Sequence, residues 1–368
     1  MATRGTRRSI RVGLVGSCLV KGVLLGCTLL LILAQPGGAI DTRQQLIDII
    51  FGGALPARQP DLIEPGVNYP DWQYAPNLAR IDRLTINLEW GLTSVAYHFI
   101  PTIANNQLLI YHEGHQATFG DRRELIEAAL SRGFAVVAFD TIMQGHNNRP
   151  DVVYKGRVWH LFDHGQLEYL TPAQGHPIRY FLDPVIISLN YLDDLGYTHI
   201  SMAGLSGGAW VTTLVAALDE RIENSYPVAG SQPLFLFDGL INRWGDWEPM
   251  TADIYSIADY DDLYVMGTTA NRRQLQILMR YDPCCYSGLG WKRYYDEVRG
   301  RSEGRWDLFN DESIAAHDIS AAAIERIHDL TGVPFDAPQA DWAVRRFSAD
   351  IRAACEEVCP ELKEKSHE

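Results

Sequence analysis

Apolar positions along this chain follow two rhythms, and the switches between them predict its elements. "RLTINLEW" (83–90) and "TSVAYHFIP" (93–101) alternate apolar and polar residues, which predicts a hairpin of two strands. "NQLLIYHEGHQ" (106–116) is a strand with an apolar centre that runs into a polar glycine turn. "DRRELIEAALSRG" (121–133) has helical spacing and a glycine stop. "FAVVAFD" (134–140) is apolar throughout, as in a strand covered on both faces. Residues 147–176 are rich in aromatics and histidine without a period, and read as an insertion over the sheet. "PIRYFLDPVIISLNYLDDLG" (177–196) is a helix with a break expected at Pro184. His199–Ala203 is a short strand, and Ala209–Leu218 is an apolar run without Gly or Pro, a buried helix. "ENSYPVAG" (223–230) is a strand, and 231–260 is loop and short helix rich in Trp and Tyr. "DDLYVMGT" (261–268) reads as a strand, "NRRQLQILMRYD" (271–282) as a helix, "RWDLFND" (305–311) as a strand and "SAAAIERIHDLTG" (320–332) as a helix. Residues 40–80 hold five prolines and read as a loop-rich lead-in. Strands alternating with helices predict an α/β fold, with a mostly parallel central sheet flanked by helices and active-site residues beyond the strand C-termini.

The N-terminus is of a different kind. Arg4, Arg7, Arg8 and Arg11 precede an apolar stretch, Val12–Ala34, interrupted by Lys21 and followed by "QPGGAID". This is the layout of an export signal with cleavage near Ala39. "TRRSIR" (6–11) resembles the twin-arginine signal, which would send a folded protein to the periplasm or beyond. An uncleaved membrane anchor is the alternative. The formal net charge is −14, and loss of the five N-terminal cations makes the remainder more acidic still. Such a chain is a poor partner for nucleic acid or anionic membranes, so a membrane role is confined to the N-terminal segment. Cys284, Cys285, Cys355 and Cys359 remain after the signal, besides Cys18 and Cys27 within it. In an exported protein they suggest disulfides: a vicinal Cys284–Cys285 bridge, or bridges from that pair to the tail. Without a C-x-x-C pair a zinc site on these cysteines is disfavoured.

The candidate chemistry centres on "HISMAGLSGGAW" (199–210). Gly204-Leu205-Ser206-Gly207-Gly208 is a G-x-S-x-G pattern between a strand and a helix, the context in which it marks a nucleophile elbow. The serine sits on a strained turn, small neighbours let strand and helix approach, and the helix N-terminus favours an anion. The Gly207 N–H is one expected oxyanion donor.

Four segments together resemble the α/β-hydrolase superfamily over roughly residues 84–330. They are "LLIYHEGHQ" (third strand and oxyanion loop), "GFAVVAFDTIMQGHN" (fourth strand and its turn), the elbow, and "LDERIENSYPVAG" (sixth strand). The resemblance implies a Ser–acid–His triad in that chain order, acting on esters, amides or thioesters without a metal or other cofactor. Of the histidines after Ser206, His317 lies between the last strand and helix, where the family keeps its base. His328 lies within a helix, and His367 is next to the last residue. The acid is expected after the seventh strand. "VMGTTANRR" has none there, and Asp282 in "YDPCC" is the first candidate beyond, with Asp238, Asp307 and Asp311 as rivals. Gly114 or His115, in "HEGHQ", is the second expected oxyanion donor. A metal reading of His112, His115 and His146 competes but lacks a carboxylate-rich partner.

The resulting division is an export signal or anchor (1–39), a lead-in (40–82), a catalytic domain (83–335) with insertions or a lid at 147–176 and 231–260, and a helical tail (336–368). The expected function is hydrolysis of small-molecule or polymer-linked acyl esters. A peptidase or amidase of the same fold and a non-catalytic binding protein are the alternatives.

Overall fold

The computed structural model describes residues 38–236 and 246–331. Residues 1–37 of the segment expected to be an export signal or anchor (1–39), with Cys18 and Cys27, lie outside the described residues, as do Asp238 and the tail from 336 with Cys355, Cys359 and His367. Among the described residues no helix is long and apolar enough to cross a membrane.

A nine-stranded sheet organises the chain. Its strands are β1 (Leu62–Glu64), β2 (Leu78–Asn87), β3 (Thr93–Pro101), β4 (Gln107–His112), β5 (Ala135–Phe139), β8 (His199–Leu205), β9 (Asn224–Val228), β10 (Arg273–Met279) and β11 (Trp306–Asp311). Their spatial order is β1-β2-β3-β5-β4-β8-β9-β10-β11. From β5 to β11 neighbours run parallel, while β1, β2 and β3 form an antiparallel edge. Helices α1 (Gly38–Phe51), α3 (Arg179–Asp193) and α5 (Tyr260–Met266) pack on α4 (Gly207–Leu218), and α2 (Arg123–Ser131) packs on the final helix, α6 (Ala321–Thr331). The run Ala209–Leu218 is buried throughout, as its uninterrupted apolarity requires.

Four local readings of the sequence differ from the structure. The lead-in contains helix α1 and the edge strand β1, because Leu46, Ile50 and Phe51 find a core to bury against. Pro184 does not break α3. The first turn is closed by bonds three residues back, and burial of every side chain from Tyr180 to Leu189 outweighs the lost hydrogen bond. The insertion 147–176 holds a small hairpin, β6 (Asp151–Tyr154) and β7 (Arg157–His160).

The largest difference exchanges two neighbours. "DDLYVM" is helix α5, N-capped by the Asp259 side chain, and "RQLQILM" is strand β10. Short apolar runs are ambiguous between buried helix and buried strand. The Gln274–Leu275–Gln276–Ile277 alternation belongs to the strand, and the N–H groups of both buried glutamines find partners inside: Gln276 Nε2 donates to the Ser231 carbonyl at 2.7 Å, and Gln274 Nε2 to Ser225 Oγ at 3.0 Å.

Two guanidinium groups fasten the C-terminal ends of α4 and α5, at the opposite end of α4 from Ser206. Arg43 donates to Ala217 O (2.8 Å) and Met266 O (3.1 Å), and the buried Arg272 to Ala216 O and to Met266 O (2.6 Å). They satisfy C-terminal carbonyls of α4 and α5 that a helix cannot pair internally. Arg272→Met should therefore cost about 1–3 kcal/mol, measured as a lower urea midpoint, because it removes the guanidinium bond to the Ala216 carbonyl, whereas Met266 O keeps its bonds from Arg43 and Thr269.

Candidate active site

Ser206 N–H donates to Val228 O at 2.9 Å, and Ser206 O accepts from the Ala209 and Trp210 N–H groups at 2.9 and 3.0 Å. These bonds force the turn from β8 into α4. The serine takes φ 55° and ψ −121°, a strained conformation for a residue with a side chain. Its hydroxyl caps no helix N–H, so the strain is not repaid by an ordinary N-cap bond. Close approach explains the glycines. A methyl group at Gly208 would lie 2.0 Å from His112 O, and one at Gly230 would lie 2.0 Å from Ser206 O. Gly208→Ala should push α4 away from the loop after β4. The expected cost is about 1–3 kcal/mol of stability and a fall of roughly 100-fold in turnover as the elbow shifts. Denaturation and ester assays on the same sample check both.

The loops after β10 and β11 bring His317 and Asp282 together. His317 Nδ1 lies 2.7 Å from Asp282 Oδ2. The other oxygen, Oδ1, accepts from the Cys284 N–H (2.7 Å) and the Cys285 N–H (3.3 Å), so the buried carboxylate is held at both ends. This bond leaves Nε2 of His317 for proton transfer. The rival acids are engaged elsewhere. Asp307 accepts from Tyr295 Oη (2.8 Å) and Arg299, and Asp311 from Ser313 N–H (2.8 Å) and the Ser320 hydroxyl. His328 is buried in α6 beside Phe134.

The loop after β4 lies against the elbow: a methyl group at Gly114 would meet Ser206 Cβ at 2.8 Å. However, the Gly114 N–H donates to Glu113 Oε1 at 2.8 Å, which removes it as an oxyanion donor. The cause is the buried Glu113 carboxylate, which folds back on its own loop and also accepts from Tyr111 Oη at 2.8 Å. The His115 N–H and the Gly207 N–H, at the start of α4, remain as the candidate pair. The Thr141 hydroxyl fixes the loop by donating to Glu113 O (2.9 Å) and Gly114 O (3.1 Å).

The other two histidines weighed as metal ligands have separate roles. His112 Nδ1 donates to Glu113 O at 2.8 Å, and burial pushes its pKa down to about 4, so it is a neutral packing group. His146 bridges Asp140 Oδ2 (2.6 Å) and Tyr69 Oη (2.8 Å).

No family model and no curated protein sequence matches the chain. Solved structures do. An acetyl xylan esterase from Thermoanaerobacterium sp. JW/SL YS485 superposes with a TM-score of 0.54 at 14% identity, over 80% of this chain and 93% of that one. An acetyl xylan esterase from Paenibacillus sp. R4 gives 0.52 at 16%, over 78% and 91%. A methylesterase gives 0.54 at 17%, over 79% of this chain and 61% of that one.

The chain has the α/β-hydrolase fold.

Within an α/β-hydrolase sheet the eight strands from β2 onward correspond to the common core, with β1 an addition at the edge. The seventh is then β10. Asp282 follows its last residue, Met279, by three positions. The apparent lack of an acid after the seventh strand came from reading α5 as that strand.

Ser206 opens into a small cleft walled by Trp210, Gly230, Pro249, Cys285 and Tyr286. His317 is not among the lining residues but lies next to one of them, Cys285: ligand atoms of His317, Cys284 and Cys285 lie within 4.8 Å of one another. The adjacent Cys284 and Cys285 sulfur atoms are in contact.

Of the remaining wall the sequence singles out only His115, as an oxyanion donor and a metal candidate. His115, Asp246 and Glu248 line the cavity beside Ser206, and His164 stacks on His115 with ring centroids 4.1 Å apart. These four residues come from the loop after β4 and from both insertions. No spacing rule links them, and only the aromatic and histidine-rich composition of the insertions hinted at a site.

Proposed function

We propose that this chain is an exported serine esterase that cleaves short-acyl carboxylic esters. Ser206 Oγ attacks the acyl carbonyl while Nε2 of His317 takes its proton, and Asp282 holds the imidazole through Nδ1. The oxyanion is held by the N–H groups of Gly207 and His115. His317 then returns the proton to the leaving alkoxide as the acyl-enzyme forms. A water molecule, deprotonated by the same nitrogen, attacks the acyl carbonyl, and the departing Ser206 oxygen takes that proton back. The chemistry at the serine calls for no metal.

The observation that carries the reading is the 2.7 Å Asp282–His317 bond, formed by residues far apart in sequence, with His317 next to Cys285, which lines the cavity that contains Ser206. The small cavity favours a short acyl group such as acetyl. The structural neighbours, acetyl xylan esterases and a methylesterase, favour an ester over an amide and suit a polymer-linked carbohydrate ester. The arginine-led, apolar N-terminal segment supports export, with membrane attachment only if it is retained. A vicinal Cys284–Cys285 disulfide belongs to the same reading, since it would stiffen the loop that carries Asp282.

The test is labelling with a fluorophosphonate probe, alongside a p-nitrophenyl ester series and an anilide. Labelling and acetate turnover that vanish in Ser206→Ala, with acetate preferred to long acyl chains, are expected. A folded protein that does not label, or that labels equally in the variant, overturns the reading.

A further inference from the structure

The cluster beside the nucleophile has no part in the proposed triad. His115 Nδ1 lies 3.2 Å from Asp246 Oδ2, and His115 Nε2 lies 3.2 Å from Glu248 Oε1. His164 Nε2 lies 3.0 Å from Asp246 Oδ1 and 3.3 Å from Glu248 Oε1. One ligand atom from each of the four residues falls within 4.8 Å of all the others. We propose that His115, His164, Asp246 and Glu248 form a binding site for a divalent cation of the zinc class, which ties both insertions to the oxyanion loop.

Three features bear on a cation at this cluster, and the second separates it from a network of ion pairs. The first is spacing. A tetrahedral ion with ligand bonds of about 2.0–2.2 Å has edges of roughly 3.3–3.6 Å. The four contacts use both nitrogens of His115 and both oxygens of Asp246 and are not those edges. One atom from each residue nevertheless lies within 4.8 Å of all the others, within reach of a single ion after small side-chain rotations.

The second is direction. Only the His164–Asp246 contact is aligned as a hydrogen bond. Glu248 is completely buried, yet neither of its carboxylate oxygens accepts a hydrogen bond from any described residue. A buried carboxylate without a bonded partner is costly. Here its lone pairs face the same small space as the nitrogens.

The third is charge. No lysine or arginine among the described residues pairs with Asp246 or Glu248. Charge is balanced either by protonation of His115 and His164, whose pKa values burial lowers but hydrogen bonding to Asp246 and Glu248 raises overall, or by one divalent ion on the neutral imidazoles. Two imidazoles with two carboxylates are a donor set suited to zinc among common cations.

Four protein ligands close the coordination shell, the mark of a structural rather than a catalytic ion. The location gives that structural role a consequence for the active site. The His115 ring lies so close to Gly207 that a methyl group there would meet three of its atoms at 2.8–3.1 Å. Fixing His115 therefore fixes the backbone beside one expected oxyanion donor. Fixing His164 and the Asp246–Glu248 segment holds one wall of the cavity.

The test uses the full-length chain without a histidine tag. It is stripped with chelator, dialysed and titrated with Zn²⁺ by calorimetry, with metal content read by mass spectrometry. One equivalent per chain and a higher melting temperature on loading are expected. His164→Gln and Asp246→Asn should each weaken binding at least ~100-fold, beyond the ~10–100-fold that loss of an outer-sphere partner costs. Asp246 is partly exposed, so its amide variant is the milder change, and circular dichroism establishes that each variant is folded. Failure of the wild type to take up an equivalent overturns the proposal. So does uptake unchanged in both folded variants, which would place the metal on other ligands. The readout needs no turnover, so absence of zinc and absence of esterase activity are separate results.

Discussion

Ser206→Ala should lower turnover of p-nitrophenyl acetate by about 10⁵–10⁶-fold while leaving the melting temperature within a few degrees of wild type. The size of the loss follows from what the serine does. Without its oxygen no acyl-enzyme forms, and His317 and Asp282 have no nucleophile to activate. Remaining catalysis comes only from polarisation of the carbonyl by the N–H groups of Gly207 and His115. The stability expectation has a separate basis. The hydroxyl caps no helix N–H, so little is lost with it, whereas the strained φ of 55° is a property of the turn and persists with alanine. Activity that survives in a folded variant would mean that the reaction runs elsewhere. An unfolded variant would mean that the hydroxyl is structural.

Asp282→Asn should lower kcat by roughly 10³–10⁴-fold with an intact fold. The substitution is nearly isosteric, and the asparagine oxygen still accepts from the Cys284 and Cys285 N–H groups. Its amide NH₂ then faces His317 Nδ1 and donates to it. The imidazole is left with its proton on Nε2, the nitrogen required to accept the serine proton. The base is removed without removal of the histidine. KM should change much less than kcat, since the carboxylate lies behind the imidazole and away from the acyl group. The kcat/KM split and its pH dependence are the measurements. A variant within tenfold of wild type would exclude Asp282 as the orienting acid and direct attention to Asp238.

The comparison of these two residues shows where sequence information resides. The elbow was legible because its demands are local: Gly204, Ser206 and Gly208 are neighbours in the chain, and a tight strand-to-helix turn imposes small residues at fixed offsets. His317 was legible through chain order. Asp282 was legible only as the first acid beyond a misplaced strand. "DDLYVMGT" and "RQLQILM" are both buried and of similar length, so hydrophobicity cannot tell which one the sheet will take. The pairing of β10 between β9 and β11 decides it, together with internal hydrogen bonds for Gln274 and Gln276.

The oxyanion loop shows the same limit. Nothing in "HEGHQ" indicates that the Glu113 carboxylate would turn back to occupy the Gly114 N–H, because that choice depends on burial under Tyr111 and the elbow. The cluster of His115, His164, Asp246 and Glu248 is farther still from sequence reading. Its members lie on three irregular segments with no periodicity between them.

By itself the sequence determined the α/β class, the position of most core strands and helices, and the candidate nucleophile with its base, since these rest on short-range patterns and fixed chain order. Tertiary structure alone decided which apolar run became the seventh strand, which backbone N–H groups stay free to face the oxyanion, and which distant side chains surround the cavity. Those outcomes depend on long-range packing and on how each buried polar group finds a partner.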